Sequence, residues 1–273
     1  MGSQYVDANG LRIHYLEEGE GEPVLMIHGF PTSSHLYRNV LPTIAETHRA
    51  IAPDLPGYGL SEKPLGQRYN FSFFGDTLNA FCDAVGIENM TLVVHDLGGP
   101  VGLHWAVRNP ARIRRLVILN TLTYPQTSWA VKAFLISLRL PFVRDYVVSP
   151  KGIVGAMRLG VVHKGRLNRE VLTPYTAPFE TGAAQKALIK AGSGLSVKGL
   201  GEIAAKLPSM GVPVRLIYGE RDRILPDIAK TMRRLKSDLP GATLTSLPDA
   251  GHFLQEDAPE QVAAMISDFI NVA

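Results

Sequence analysis

The sequence predicts an α/β fold in which a mostly parallel β-sheet is flanked by helices and carries an inserted helical cap. Continuous apolar runs, such as residues 23–27 and the run ending at Val94, alternate with segments of helical periodicity. Such runs are typical of strands buried on both faces, and their alternation with helices favours parallel crossover connections. The alternation stops after Asn120 and resumes at Pro213. This interruption predicts the cap.

Length and composition describe a globular protein with a large core. The chain has 273 residues, of which 45% are hydrophobic and 19% are charged. We therefore expect one domain of about 200 residues with an inserted lid. Residues 1–121 and 208–273 are predicted to form the α/β core, and residues 122–207 to form the helical cap.

Charge and cysteine content exclude several classes of partner. The net charge is +3 and most basic residues are scattered, which is too weak a signal for nucleic acid. The only cysteine, Cys82, has no partner for an internal disulfide, which fits a reducing compartment. Neither a membrane-spanning run nor a signal-peptide pattern is visible. We expect a cytoplasmic protein that binds a small-molecule substrate and water but no nucleic acid or membrane; its oligomeric state stays open.

The first half of the chain supplies most of the predicted sheet. Residues 11–16 read as an antiparallel strand, and Ser33 or Ser34 is positioned to cap a helix that runs to about Glu46. Further strands are predicted over residues 23–27, 48–53, 90–94 and 115–119, with helices over residues 71–85 and 100–107.

The second half contains the predicted cap and the end of the sheet. Helical segments at residues 129–140 and 183–189 are separated by prolines and glycines. Strands are then predicted over residues 213–218 and 242–247, with a helix over residues 227–236 between them. The last helix is predicted to begin at Asp257, because Asp257 and Glu260 have capping-box spacing.

The stretch from Leu92 to Gly99 is the most informative part of the sequence. An apolar run stops at Asp96 and is followed by two glycines and a helical segment. This pattern is typical of a strand that turns sharply into a helix and presents one side chain at the apex, where small following residues are needed. A lone aspartate here often only forms a turn or caps a helix. The glycines, together with polar residues further along the chain, favour a nucleophile.

Those residues are Asp222 and His252, each of which follows a predicted strand. The order nucleophile, acid, histidine, with a strand–turn–helix at the first, resembles the α/β-hydrolase superfamily. The resemblance spans nearly the whole chain and also rests on residues 28–31 (His-Gly-Phe-Pro), 219–222 and 251–253. Asp222 also fits a structural turn, whereas a histidine on a glycine-rich loop has little structural reason to be there.

An aspartate at the apex suits displacement at a saturated carbon, which forms an alkyl ester on Asp96. His252, oriented by Asp222, would then activate a water that attacks the carboxyl carbon of Asp96. The developing oxyanion needs two donors, and the backbone N–H groups of Phe30 and Leu97 are the candidates. The side chains of these two residues cannot donate a hydrogen bond.

Within the superfamily, an aspartate at this position resembles haloalkane dehalogenases, epoxide hydrolases and fluoroacetate dehalogenases. Residues 29–34, 51–55, 172–179 and 252–259 are most similar to the haloalkane dehalogenases. Those enzymes usually hold the halide with an indole after the nucleophile and an Asn in the oxyanion loop, where this chain has Leu97 and Phe30. One lost donor is worth roughly 1.5–3 kcal/mol, so halide departure would slow by one to two orders of magnitude.

The cap offers two ways to assist a leaving group. Trp129 is a candidate replacement donor, with lid packing as the equal alternative.

Fluoroacetate dehalogenases share a residue like Phe30 but usually carry Arg after the nucleophile, so Leu97 argues against an anionic substrate. For an epoxide, Tyr124, Tyr146 and Tyr175 are candidate acids; Tyr175 is favoured, and Tyr146 is expected to pack.

The sequence therefore predicts a hydrolase that acts at an sp³ carbon of a small, apolar, neutral substrate. The resemblance favours a haloalkane-dehalogenase-like activity, with epoxide hydrolysis as the alternative. Phe253, next to the predicted base, is expected to contact substrate. No metal or organic cofactor is implied. A non-catalytic ligand-binding relative of the superfamily is the remaining alternative, against which the intact Asp96, Asp222 and His252 argue.

Overall fold

The computed structural model describes residues 2–272, and the strands in that part of the chain form one eight-stranded sheet in the order β1-β2-β4-β3-β5-β6-β7-β8. The strands are β1 Gly2–Ala8, β2 Leu11–Glu18, β3 Pro23–Ile27, β4 Arg49–Pro53, β5 Met90–Asp96, β6 Ile113–Thr121, β7 Val214–Gly219 and β8 Thr243–Leu247. Strand β2 runs antiparallel to β1 and β4, and the other neighbours are parallel. The predicted mostly parallel sheet is confirmed.

The centre of the sheet is strand β5, which leads to Asp96. Every residue of β5 is buried, and it pairs in parallel with β3 on one side and β6 on the other. Because both faces of such a strand are covered by helices, an unbroken apolar run is stable there and alternation is not needed. The carboxyl ends of these three strands therefore meet at one edge of the sheet.

Helices follow the strands and fill the interval between β6 and β7. They are α1 Leu41–Ala45, α2 Phe71–Ala84, α3 Gly98–Ala106, α4 Trp129–Ser137, α5 Pro141–Val147, α6 Pro150–Gly160, α7 Arg169–Thr176, α8 Gly182–Ser193, α9 Val197–Lys206, α10 Ile228–Asp238, α11 Leu254–Asp257 and α12 Pro259–Ile270. Helices α4 to α9 lie between β6 and β7. We keep the name cap for residues 122–207, whose boundaries as a domain stay a prediction. None of the helices within residues 2–272 is long and apolar enough to cross a bilayer.

Three elements differ from the prediction. Strand β1 was not predicted because its sequence is polar and mostly exposed; pairing with β2 along its whole length forms it. The helix predicted to run to Glu46 is divided into a 3₁₀ turn at Ser34–Tyr37 and helix α1. Pro42 lies in the first turn of α1, where a proline favours the start of a helix. Helix α12 begins at Pro259, because the carboxylate of Asp257 accepts bonds from other segments and does not cap it.

The buried carboxylate of Asp54 organises the loops at the carboxyl edge of the sheet. Its oxygens accept the backbone N–H of Ser34 at 2.6 Å and of Leu60 at 2.7 Å, and the second oxygen pairs with His14 Nδ1 at 2.8 Å. The next residue, Leu55, donates its N–H to His28 Nε2 at 3.0 Å. These bonds fix the loop that carries Phe30.

We expect Asp54→Asn to lower the free energy of unfolding by about 2–4 kcal/mol, because an amide cannot accept all three bonds. Burial opposes the charged form, but the hydrogen bond from His14 and the nearby His28 outweigh it and lower the pKa of Asp54 to about 2. The stabilisation is therefore present above the unfolded pKa of 3.8 and is lost as pH falls through about 2. Urea unfolding of both proteins should show their difference shrinking over that interval. Asp249→Asn, with a side chain 69% exposed, is the matched control and should change little.

Candidate active site

Asp96 lies at the apex of a sharp turn between β5 and α3. Its φ is +49°, in the left-handed region that a residue with a side chain seldom adopts. The hydroxyl of Thr121 donates to the carbonyl oxygen of Asp96 at 2.6 Å and supports this backbone. A Cβ on Gly98 would lie 2.1 Å from the carbonyl oxygen of His28, so only glycine lets α3 start this close to β3. The predicted strand–turn–helix is present.

Backbone donors hold the Asp96 carboxylate. Phe30 N–H donates to Oδ1 at 2.6 Å, and the backbone N–H of Leu97 bonds the same carboxylate. Gly29 permits the approach, because a Cβ there would come within 2.4 Å of Asp96 Oδ1. These are the two N–H groups that the sequence predicts as an oxyanion hole.

The second oxygen of Asp96 faces His252, which in turn is held by Asp222. His252 Nε2 lies 3.2 Å from Asp96 Oδ2, and His252 Nδ1 lies 2.8 Å from Asp222 Oδ2. Asp222 is fixed on its other side, because Oδ1 accepts the N–H groups of Ile224 and Leu225 at 2.8 and 2.7 Å. All three predicted side chains are therefore brought together in one hydrogen-bonded line.

Charge in this line is balanced by the histidine. Burial opposes a charged His252, but attraction to Asp222 and Asp96 outweighs it and raises its pKa to about 10. Burial likewise opposes charge on the two carboxylates, and the hydrogen bonds and charge of His252 lower the pKa of both Asp96 and Asp222. At neutral pH the free protein thus holds an imidazolium between two carboxylates, and any reaction that neutralises Asp96 will lower the pKa of His252.

A cavity of about 370 Å³ opens over Asp96. Its floor contains Phe30, Asp96 and Leu97, and its walls come largely from apolar residues of the cap. The other lining residues whose side chains can donate a hydrogen bond are Thr127, Trp129, Ser196 and Arg223. The site is therefore a buried carboxylate at the bottom of a largely apolar cavity. Within residues 2–272, no cluster of His, Cys, Asp or Glu is arranged to hold a metal ion.

Of the cap residues singled out in the sequence, Trp129 lines this cavity, and its side chain is 75% exposed. Tyr124 and Tyr175 do not, contrary to expectation. The hydroxyl of Tyr124 donates to Asp238 at 2.7 Å, and that of Tyr175 donates to Glu256 at 2.5 Å. Both hydroxyls therefore point into carboxylates outside the cavity, where they cannot protonate a leaving group.

Phe253 also lies outside the cavity lining. It is fully buried, and its ring packs edge-on against His252 at 4.8 Å and at a tilt against His95 at 5.9 Å. The residue supports the histidine and does not contact the space a substrate would occupy.

Two further residues hold the hydrogen-bonded side chains of Asp96, His252 and Asp222 in place. The sequence analysis missed both as functional candidates. Asn120 donates to Asp222 Oδ2 at 2.7 Å and accepts the N–H of Gly219 at 3.0 Å. His95 donates from Nε2 to the carbonyl oxygen of His252 at 2.8 Å. The signal for Asn120 was available, since it is a polar residue near the end of a buried strand, like Asp96 and Asp222.

Comparison with known proteins agrees with the fold. Residues 22–259 match the model of the alpha/beta hydrolase fold family, and the chain belongs to that family. More narrowly, its relatives define the haloalkane dehalogenase branch. The chain is 32% identical to haloalkane dehalogenase 2 of Mycobacterium tuberculosis, over 97% of this chain and 93% of that protein. It is also 32% identical to the cis-3-alkyl-4-alkyloxetan-2-one decarboxylase of Shewanella oneidensis, over 97% of this chain and 87% of the relative.

Solved structures give the same result. The haloalkane dehalogenase DbeA from Bradyrhizobium elkani superposes with a TM-score of 0.87 at 27% identity, covering 98% of this chain and 97% of that one. The haloalkane dehalogenase DatA from Agrobacterium tumefaciens gives a TM-score of 0.84 at 26% identity, covering 98% and 96%. The protein is thus a hydrolase of this branch.

Proposed function

We propose that this protein hydrolyses a small, apolar, neutral molecule by displacing a leaving group from an sp³ carbon and forming a transient ester on Asp96. The single observation that carries the proposal is the position of the Asp96 carboxylate, with Phe30 N–H on Oδ1 at 2.6 Å and His252 on Oδ2 at 3.2 Å, at the floor of an apolar cavity. Apolar walls favour an uncharged substrate.

In the first step, Asp96 Oδ2 forms a bond to the substrate carbon while the leaving group departs with the bonding electrons. The oxygen Oδ1 becomes the ester carbonyl and keeps the N–H of Phe30, with the N–H of Leu97 as the second donor to this carboxyl group. The carboxylate is ionised at neutral pH because its pKa is lowered by His252. It therefore needs no base to act as a nucleophile.

In the second step, His252 activates water. Once Asp96 is an uncharged ester, His252 has lost one of the two charges that raise its pKa, so that pKa falls and the neutral imidazole becomes easier to form as a base. It removes a proton from water, the oxygen attacks the Asp96 carboxyl carbon, and the negative charge develops on Oδ1 beside its two donors. Collapse returns the His252 proton to the departing alkoxide and regenerates Asp96, whose new carboxyl ionises.

Halide is the leaving group that the relatives' names favour. Leu97 and Phe30 donate only through their backbones, and those N–H groups are already bound to Asp96. Among the side-chain donors that line the cavity, which are Thr127, Trp129, Ser196 and Arg223, we assign the indole of Trp129 to a departing halide. An epoxide is a less favourable substrate, because its opening needs an acid and the hydroxyls of Tyr124 and Tyr175 are hydrogen-bonded to Asp238 and Glu256.

A second candidate substrate is a cis-dialkyl oxetan-2-one, the ring that the Shewanella oneidensis relative is named for. It is favoured by the apolar side chains at positions 30 and 97, because its leaving group is a carboxylate tethered in the same molecule and needs no halide cradle. Asp96 would attack the ring carbon bonded to oxygen, and that C–O bond would break. Loss of CO₂ would then send its electrons into a C=C bond and expel Asp96 as carboxylate.

The test first measures turnover of three substrates: release of halide from 1-bromohexane, of diol from 1,2-epoxyhexane and of alkene from cis-3,4-dibutyloxetan-2-one. A single turnover in H₂¹⁸O, with enzyme in excess, follows. For the halide, we expect ¹⁸O in the peptide containing Asp96 and none in the alcohol. The peptide containing exposed Asp249 is the internal control. Label in the alcohol alone contradicts the covalent ester. Alkene formed from the lactone with no label on Asp96 supports the second candidate.

A further inference from the structure

The loop that carries His252 is bound to the end of cap helix α6. The N–H of His252 donates to the carbonyl oxygen of Gly160 at 2.8 Å, and the N–H of Phe253 donates to the same oxygen at 3.4 Å. On its other side, the carbonyl oxygen of His252 accepts from His95. The backbone of the predicted base is thus held between the core and the cap.

A second connection between the same two segments runs through Asp257, which is 3% exposed. Its Oδ2 accepts the N–H of Gly251 at 2.8 Å, and its Oδ1 accepts the N–H groups of Val162 and His163 at 2.9 and 2.8 Å. No ion pair to Asp257 is found within residues 2–272. Its buried charge is therefore satisfied by backbone donors from the His252 loop and from the cap together.

The two segments also fit closely in shape. A Cβ on Gly160 would lie 2.6 Å from the ring of Phe253, so no side chain fits at this end of α6. One turn earlier, Ala156 and Leu159 of α6 line the cavity over Asp96. Helix α6 therefore connects the cavity wall to the loop that aims His252.

We propose that Asp257 is a positioning residue that fastens α6 to the His252 loop, so that His252 is aimed at the Asp96 ester only while the cap is docked. Asp257 touches neither substrate nor reacting atoms and acts through Gly251 and the cap backbone. Its consequence for catalysis rests on the proposed function. In the proposed mechanism, the second step needs His252 and the first does not. Loss of the Asp257 contacts to Gly251, Val162 and His163, which we call the latch, should therefore slow hydrolysis of the ester and leave its formation unchanged.

The test is Asp257→Asn, with Asp249→Asn, in the turn that precedes His252, as the matched control. An asparagine has one acceptor oxygen, so its NH₂ must face either Gly251 N–H or the N–H groups of Val162 and His163. We expect hydrogen exchange to rise together in residues 160–163 and 251–253 of Asp257→Asn and in neither segment of the control. A rise in hydrogen exchange confined to one segment overturns the proposal that Asp257 connects the two. This measurement does not depend on which substrate the enzyme uses.

The catalytic part of the test measures ester formation and ester hydrolysis separately. It uses whichever of 1-bromohexane, 1,2-epoxyhexane and cis-3,4-dibutyloxetan-2-one the wild type converts. In Asp257→Asn we expect ester formation within about twofold of wild type and ester hydrolysis slower by roughly 10–100-fold, so that ester accumulates on Asp96. The ratio of the two rate constants does not depend on how much of the variant folds. Gly160→Ala, which displaces Phe253 from the cap side, should give the same split. Equal falls in both rates overturn the positioning role, whereas a wild type that forms no ester overturns the proposed function and leaves the exchange result standing.

Discussion

Replacing Asp96 by asparagine should reduce turnover by at least about 10⁴-fold, the scale of losing a catalytic nucleophile. The amide keeps the size of the carboxylate and an oxygen for Phe30 N–H, which lies 2.6 Å from Oδ1 in the wild type. It is not a nucleophile towards carbon at neutral pH. No ester should therefore appear on the protein, while substrate still enters the cavity.

The same variant carries an electrostatic signature. His252 loses one of the two carboxylates that raise its pKa, so that pKa must fall from about 10. Titration of the imidazole by NMR measures this directly and separates loss of the nucleophile from misfolding. Asp145→Asn, at an ion-paired side chain 65% exposed on the cap, is the matched control and should keep both turnover and the His252 pKa. Turnover of Asp96→Asn within tenfold of wild type would mean that another group attacks the substrate.

What the sequence predicted well are features written in consecutive residues. An apolar run followed by Asp96 and two glycines specifies a strand, a tight turn and a helix without help from distant contacts, and Asp96 adopts the expected turn with φ of +49°. Asp222 and His252 also follow strands. Because the ends of parallel strands meet at one edge of the sheet, predicting the strands was enough to predict that these side chains meet. Their catalytic roles stay predictions until the experiments above are done.

What the sequence could not predict are partners far away in the chain. The hydroxyls of Tyr124 and Tyr175 find carboxylates 114 and 81 residues away, and helical periodicity does not say which neighbour a helix face meets. Asp257 has the spacing of a capping box, but the N–H groups of Gly251, Val162 and His163 compete for the same carboxylate and win. In each case a tertiary contact outweighs a local preference of about 1 kcal/mol.

These misses have a common consequence for the site. The residues to which we assign the chemistry lie at the carboxyl edge of the sheet, and most of the residues that line the cavity lie on the cap, where local sequence is least informative. Trp129 illustrates the point, because it lines the cavity although its side chain is 75% exposed. The identity of the leaving group therefore has to come from experiment on the cap cavity.

Replacing His252 by glutamine should trap the ester, because it removes the base of the second step and leaves the nucleophile of the first. We expect one substrate-derived group per protein by intact-mass measurement, located on the Asp96 peptide, and steady turnover lower by at least about 10³-fold. Asp145→Asn, the exposed cap variant described above, is the control and should accumulate no ester. Full turnover in His252→Gln, or an ester on any other residue, would contradict the assigned roles.

The pH dependence of the two steps gives the same assignment in the wild type. Ester formation should be flat from about pH 6 to 9, because Asp96 is already ionised: the hydrogen bond and charge of His252 outweigh burial and lower its pKa. Hydrolysis needs neutral His252, whose pKa falls from about 10 once Asp96 is esterified. Below the pKa reached in the ester, hydrolysis should therefore slow about tenfold per pH unit, and ester should accumulate as the solution is acidified. This acid limb should be absent from the residual hydrolysis in His252→Gln, because the group that titrates has been removed. A limb that persists there would assign the base to another residue.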